Sequence, residues 1–257
     1  MSFTIRERKH MEPQKNIKYL VVPDVHGRTF WKDALRDFSR GKFPNAKVIF
    51  LGDYIDPYTQ VECITPKEAY TVFKNIMKWV KKHKEKVIML LGNHDIHYIV
   101  PSDTVRLDFA NFRTIQRYYK RYLDEYFNIA YEDVIGGKRF LFTHAGVVSG
   151  WLDHTYHFDS KPTAKFLNSC LHEPDKMYLL LQRSRQRGGY FNSGSPIWAD
   201  LSEHIHDLHP PKNVFQVFGH SWCANEFRMD DQFIMLDCRK VFTIDDEGKI
   251  DQYKKQS

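Results

Sequence analysis

Apolar residues along this chain fall either into short solid runs or into periodic stretches. IKYLVV (17–22), KVIFL (47–51) and KVIMLL (86–91) are brief and rich in branched residues, as strands buried on both faces are. Residues 29–39 place Phe30, Ala34, Leu35 and Phe38 at helical spacing, and RGKFPN ends the stretch. PKEAYTVFKNIMKWVKKH (66–83) is amphipathic, with Pro66 at a helix start, where proline is tolerated. The order strand, helix, strand, helix, strand predicts a parallel sheet with crossover helices.

A long helical stretch is expected at 103–127. NIAYEDVIGGKRFLFTHAG then reads as a hairpin turning at Gly136 and Gly137. Residues 162–183 read as helix, SRQRGGYFNSGSP (184–196) as a surface loop and NVFQVFGHS as a further strand. From Glu226 to Tyr253 short strands form a meander, broken at Asp230–Asp231 and at DDEG. Residues 1–16 are charged and read as a loose tail, leaving 17–257 as one domain without repeat or linker.

Composition narrows the class. The 257 residues are 42% hydrophobic and 27% charged, ordinary for a soluble globular protein with a large core. No apolar run approaches the roughly 20 residues that span a bilayer. The amino-terminal stretch lacks the apolar core of a secretory signal. Cys63, Cys170, Cys223 and Cys238 form no C-x-x-C pair, so reduced thiols and a cytoplasmic location are expected. The net charge of +6 favours anionic partners such as phosphate esters.

Chemistry recurs where the apolar runs stop. After YLVV come Asp24, His26 and Gly27; after KVIFL comes GDYID, with Asp53 and Asp56. After VIMLL comes GNHD, with Asn93, His94 and Asp95. After RFLFT come His144 and Gly146, and after VFQVF come Gly219 and His220. Open α/β sheets bind ligands at the carboxyl ends of their strands, so these five loops would meet at one edge. Helix capping does not call for histidine. Oxygen and imidazole together suit Mn, Fe or Zn better than Ca or Mg, and the number of residues suits two ions rather than one. Two metals about 3.5–4 Å apart share a carboxylate and can clamp an in-line displacement at phosphorus.

The series D-x-H-G, G-D-x-x-D, G-N-H-D, T-H-A-G, G-H resembles that of the calcineurin-like metallophosphoesterases, over about Ile17 to Arg239. The resemblance implies an α/β fold, a four-layer αββα sandwich, with the C-terminal meander supplying part of the second sheet. It implies a metal-dependent phosphoric ester hydrolase with two metal ions, Mn foremost and Fe or Zn as alternatives. Asp24 and His26 would bind the first metal, Asp53 would bridge both, and Asn93, His144 and His220 would bind the second. A bridging water acidified by both cations would attack phosphorus. His94 would protonate the leaving oxygen, held in orientation by Asp56.

Two departures bear on the substrate. Many family members read G-H-x-H at the last motif; here Gly219-His220-Ser221-Trp222 leaves the first metal without a second histidine. The serine/threonine phosphoprotein phosphatases and diadenosine tetraphosphate hydrolases share that arrangement, and GDYID and SPIWAD resemble their GDYVD and LLWSD segments. That branch usually has an arginine directly after G-D-x-x-D, and here Pro57 stands there. An arginine fork binds two phosphate oxygens at once, so Arg28, Arg183, Arg185 and Arg187 become the candidate substrate-binding residues.

The remaining histidine pairs, His154/His157 and His204/His206, match no ligand position and read as ordinary surface or half-buried residues. The aromatics of RTIQRYYKRYLDEYF read as core at helical spacing rather than as a stacking strip for nucleic acid. Asp95 carries no catalytic role, and Asp237 in MLDCR reads as a structural acid near the metal loop. The expected partner is a phosphorylated substrate, whether small molecule, nucleotide or phosphoprotein; nucleic acid is not favoured and no membrane is implied. The leading expectation is a phosphomonoesterase. A dinucleoside polyphosphate hydrolase or nucleic-acid phosphodiesterase of the same fold is the alternative, and a non-catalytic interaction module the third reading.

Overall fold

A computed structural model describes residues 13–100, 107–155, 162–229 and 231–255. Strand β1 (Ile17–Val22) leads to α1 (Lys32–Ser39), β2 (Lys47–Phe50), α2 (Thr59–Glu62), α3 (Pro66–Lys82), β3 (Val87–Leu90) and α4 (Asn93–Ile99). Then come α5 (Phe112–Tyr126), β4 (Phe127–Asn128) and the hairpin β5 (Ala130–Ile135) and β6 (Lys138–Thr143). The chain continues through α6 (Ser149–Thr155), α7 (Ala164–His172), α8 (Pro174–Leu180), α9 (Leu201–Ile205) and β7 (Phe215–Phe218). It closes with β8 (Phe227–Met229), β9 (Phe233–Met235), β10 (Phe242–Asp245) and β11 (Ile250–Gln252).

Two sheets form, ordered β11-β10-β1-β2-β3-β4 and β5-β6-β7-β9-β8. β1, β2 and β3 are parallel, with Val22 beside Phe50 and Phe50 beside Met89. β6, β7 and β9 are parallel in the second sheet. The solid apolar runs are explained by burial on both faces. Tyr19, Val21, Ile49, Leu51 and Leu90 meet Phe140, Phe142, Phe215, Val217 and Ile234 between the sheets. Leu20, Val22, Val48, Phe50 and Met89 turn the other way, onto Phe38, Phe73, Ile76 and Met77 of α1 and α3. Behind the second sheet, Phe218, Phe233 and Met235 are covered by Leu201 of α9, and Leu141 joins a core with Trp151, Leu167 and Leu171 of α6 and α7. Helices, sheet, sheet, helices: these are the four layers of the expected αββα sandwich.

Local chemistry sets the element ends. Thr65 caps α3, its hydroxyl accepting from the Glu68 N–H at 3.2 Å while Glu68 accepts from the Thr65 N–H at 2.8 Å, just before Pro66. On the buried face of α3, Ala69, Phe73, Ile76, Met77 and Val80 follow helical spacing.

Several elements differ from expectation. The 162–183 stretch is two helices, because Pro174 removes a backbone donor and starts a new one. The meander does not stay in one sheet: β8 and β9 join the second, while β10 pairs antiparallel with β1 and extends the first. The 184–196 loop is not wholly on the surface, since Ser184 and Ser195 are buried and Arg185–Arg187 form one 3-10 turn. The expected 103–127 helix is described as helix from Phe112, and its first residues, 103–106, lie outside the described set. Tyr119 stacks on Phe73 at 5.1 Å, and Lys81 lies 4.0 Å from the Tyr122 ring centroid, so these aromatics are used internally. Among the described residues no helix is long and apolar enough to cross a membrane.

Candidate active site

The carboxyl ends of β1, β2 and β3 in one sheet, and of β6 and β7 in the other, bring the five loops together. Asp24, His26, Asp53, Asn93 and His144 are all buried, and His220 is partly exposed. Two groups of potential ligand atoms, each within 4.8 Å of one another, share Asp53: Asp24, His26 and Asp53, and Asp53, His144 and His220. The sequence assigned these triads to the first and second metal respectively.

The loops are held rigidly. Asp53 carbonyl oxygen accepts from the Val25 and His26 N–H groups at 3.1 and 2.7 Å, joining the first two loops. The His94 N–H donates to Asp53 Oδ1 at 2.9 Å, and the His220 N–H donates to Asp24 Oδ1 at 3.0 Å. Both carboxylates approach backbone so closely that a side chain would not fit. A Cβ on Gly92 would lie 2.1 Å from Asp53 Oδ1, and one on Gly219 would lie 2.1 Å from Asp24 Oδ1. Four site residues also adopt positive φ: His26 at 44°, Asp53 at 53°, Asp56 at 56° and His220 at 68°. Such angles cost non-glycine residues about 1 kcal/mol or more each, a cost found concentrated at functional sites.

Ring orientation is fixed from behind. His26 Nδ1 donates to the backbone carbonyls of Ile55 and Asp56 at 2.9 and 3.0 Å, turning Nε2 to Asp53 Oδ2 at 3.2 Å. His144 Nδ1 donates to the Leu51 carbonyl at 2.9 Å. Its Nε2 then faces Asn93 Oδ1 at 3.0 Å, His220 Nδ1 at 3.1 Å and Asp53 Oδ2 at 3.5 Å. His144 Nε2 so oriented meets two oxygen acceptors and a second imidazole nitrogen at close range, a cluster that a cation would bridge. Burial, with the Arg187 and His144 charges, holds His220 well below the usual histidine range, in the neutral form that binds metal. Burial would raise the Asp53 carboxyl, but His144, His94 and His26 around it hold it well below the usual range. The residues present therefore fit a pair of metal ions.

His94 and Asp56 are brought together beside these triads. His94 Nδ1 lies 3.1 Å from Asp56 Oδ2, and the His94 ring meets the His26 ring edge-on at 5.1 Å. Asp56 is itself anchored: the Tyr98 hydroxyl donates to its Oδ1 at 2.6 Å and accepts from the Asp108 N–H at 2.8 Å. Tyr98 was not singled out from the sequence. Its signal was present, since it follows His94 by four residues on α4 and so shares its face.

The four candidate arginines are placed very differently. Arg28 is engaged by Glu62, through Nε at 2.8 Å and Nη2 at 3.0 Å. Arg183 lies 5.2 Å from the Trp198 ring centroid, and Trp198 meets His220 edge-on at 6.0 Å. Arg187 reaches Ser221 Oγ at 2.7 Å and Asp200 at 2.8 Å, next to the His220 loop. Arg185 is exposed. Asp95 receives four donors, from the Gly92, Asp53 and Tyr54 N–H groups and the Tyr119 hydroxyl. Burial and the Asp53 charge nonetheless push its carboxyl up to about 7. His204 is buried, with Nε2 2.9 Å from the Ala145 carbonyl, and His206 is exposed; neither belongs to the ligand groups. The side chains of His154 and His157 lie outside the described residues.

The sequence profile of the calcineurin-like phosphoesterases matches residues 17–223, so the chain belongs to that family, whose members carry divalent metal ions. No curated protein sequence matches the chain. Among solved structures, a cold-active protein-tyrosine phosphatase of a psychrophilic Shewanella species superposes with a TM-score of 0.57 at 14% identity, over 95% of this chain and 84% of that one. A 1.1 Å structure of a cold-active protein tyrosine phosphatase gives 0.56 at 15% identity, over 94% and 81%. A protein serine/threonine phosphatase from Saccharomyces cerevisiae covers 95% and 82% at 15% identity, with a TM-score of only 0.44. At these identities the likeness concerns the fold. Fold and family together make the chain a phosphoesterase-type hydrolase.

Proposed function

We propose that the protein hydrolyses phosphomonoesters with two metal ions, Asp24, His26 and Asp53 holding one and Asp53, Asn93, His144 and His220 the other. The observation that carries this reading is the pair of buried ligand triads sharing one carboxylate, with the His94–Asp56 pair directly beside them. Bound there, the cations would acidify water and neutralise charge at phosphorus. On this reading His94 protonates the leaving oxygen and Asp56, fixed by Tyr98, orients the ring; the 3.1 Å His94–Asp56 contact supports it. Arg187 and Arg183 border the second triad and are the best placed of the four arginines to meet phosphate oxygens; Arg28 would first have to leave Glu62.

Pro57 in place of the arginine after G-D-x-x-D favours a second reading, cleavage of dinucleoside polyphosphates or of a phosphodiester. The test is turnover of p-nitrophenyl phosphate and of bis-p-nitrophenyl phosphate under added Mn²⁺, with metal content measured on protein purified without chelator. Two metals with monoester turnover support the proposal. Two metals with diester turnover alone support the second reading. Metal without turnover of any phosphoester points to an interaction module.

A further inference from the structure

β9 runs parallel to β7, so its carboxyl end opens onto the same edge as the five ligand loops. The loop after it carries Asp237, making a sixth loop that brings an acidic or imidazole residue to that edge. Asp237 is 5% exposed, and among the described residues its Oδ1 has no hydrogen-bond partner. Asp95, fully buried, has four donors. Burial disfavours the charge on Asp237, the Asp24 and Asp53 carboxylates add to this, and His26 and Arg28 oppose it. A charged, buried carboxylate oxygen without a donor is unfavourable unless the acid is protonated or a cation neutralises it. It is also not a member of the ligand-distance triad Asp24, His26 and Asp53.

Trp222, at the position where many relatives have a second histidine for the first metal, is 59% exposed and lies under the Arg239 guanidinium at 5.5 Å. The next residue is tied to Asp237, the Cys223 N–H donating to the Asp237 carbonyl at 3.0 Å. We propose that Asp237 is a positioning residue for the first cation, standing behind Asp24 and His26 and holding a water of that cation, where a histidine at Trp222 would bind it directly. The assignment rests on the two-metal reading above.

The test compares the metal-stripped wild-type chain with Asp237→Asn, which keeps size and an acceptor but removes the charge. Mn²⁺ affinities are read by calorimetry and the melting temperature with and without Mn²⁺. The expected result is that one of the two Mn²⁺ affinities falls about 10–100-fold, the other stays unchanged, and the metal-free melting temperature does not fall. Wild-type affinities at both sites, or a metal-free variant that melts lower or does not fold, would make Asp237 a structural acid and overturn the assignment. Wild-type protein that takes up no Mn²⁺ would instead overturn the two-metal reading itself.

Discussion

The two halves of the candidate centre are built from different parts of the fold. The first triad, Asp24, His26 and Asp53, comes from the adjacent parallel strands β1 and β2, so one sheet places all of it. The second draws Asp53 and Asn93 from the first sheet but His144 and His220 from the ends of β6 and β7 in the second. A cation bound in the first half would organise neighbouring loops, and one bound in the second would link the two sheets across their shared core. Ligand binding stabilises only the state that holds the site, so the second cation should contribute more to the stability of the sandwich.

The strongest blow to this distinction is Asp53→Asn, because both halves share that carboxylate. Both ions and activity should be lost together, by orders of magnitude in turnover, and full activity in the metal-analysed variant would refute the shared ligand. His94→Ala should keep both metals yet lower kcat by about 10²–10⁴-fold, more on poor leaving groups than on good ones. Equal losses on p-nitrophenyl and alkyl phosphates would argue against proton donation. His26→Ala and His144→Ala should each lose one cation. Only His144→Ala should also lose most of the rise in melting temperature on adding Mn²⁺; equal losses would erase the difference between the halves.

The smallest effect concerns support behind the second half. Burial pushes His204 down to about 4, from an ordinary value of 6.5. The unfolded chain then takes up that proton first, so the contribution is complete above about pH 6.5 and is lost as pH falls toward 4, by about 3 kcal/mol. His204→Gln should flatten the fall in melting temperature between pH 7 and 5, measured without metal. A slope unchanged from wild type would assign the acid sensitivity elsewhere.

Much of this candidate centre was legible in the sequence because a parallel sheet aligns strand ends, and the candidate ligands lie within a few residues of the end of an apolar run. Strand identity, the 66–83 helix and the hairpin at Gly136–Gly137 followed from the same patterns. What stayed hidden depends on partners distant in sequence. Nothing in FTID says that β10 pairs with β1 rather than with β9. The spacing of Tyr98 from His94 put it on the same face of α4, but only the fold shows its hydroxyl anchoring Asp56, 42 residues away in sequence. MLDCR showed an acid near the metal loop, but only the fold shows that β9 opens onto the same edge as the five loops and that Asp237 Oδ1 lacks a donor among the described residues. The arginines could not be ranked, because what decides them is distant in sequence: Glu62 takes up Arg28, while Ser221 and Asp200 take up Arg187.

The hydrogen bond from the His220 N–H to Asp24 spans 196 residues of chain, and β1 waits still longer for β10. During synthesis the strand bearing Asp24 and His26 therefore emerges early with one edge open, and closes only when a segment made much later reaches it. Until then that edge can pair with another strand, including one from a second nascent copy. Growth temperature and expression rate should thus govern the yield of folded protein more than the stability of the finished sandwich does.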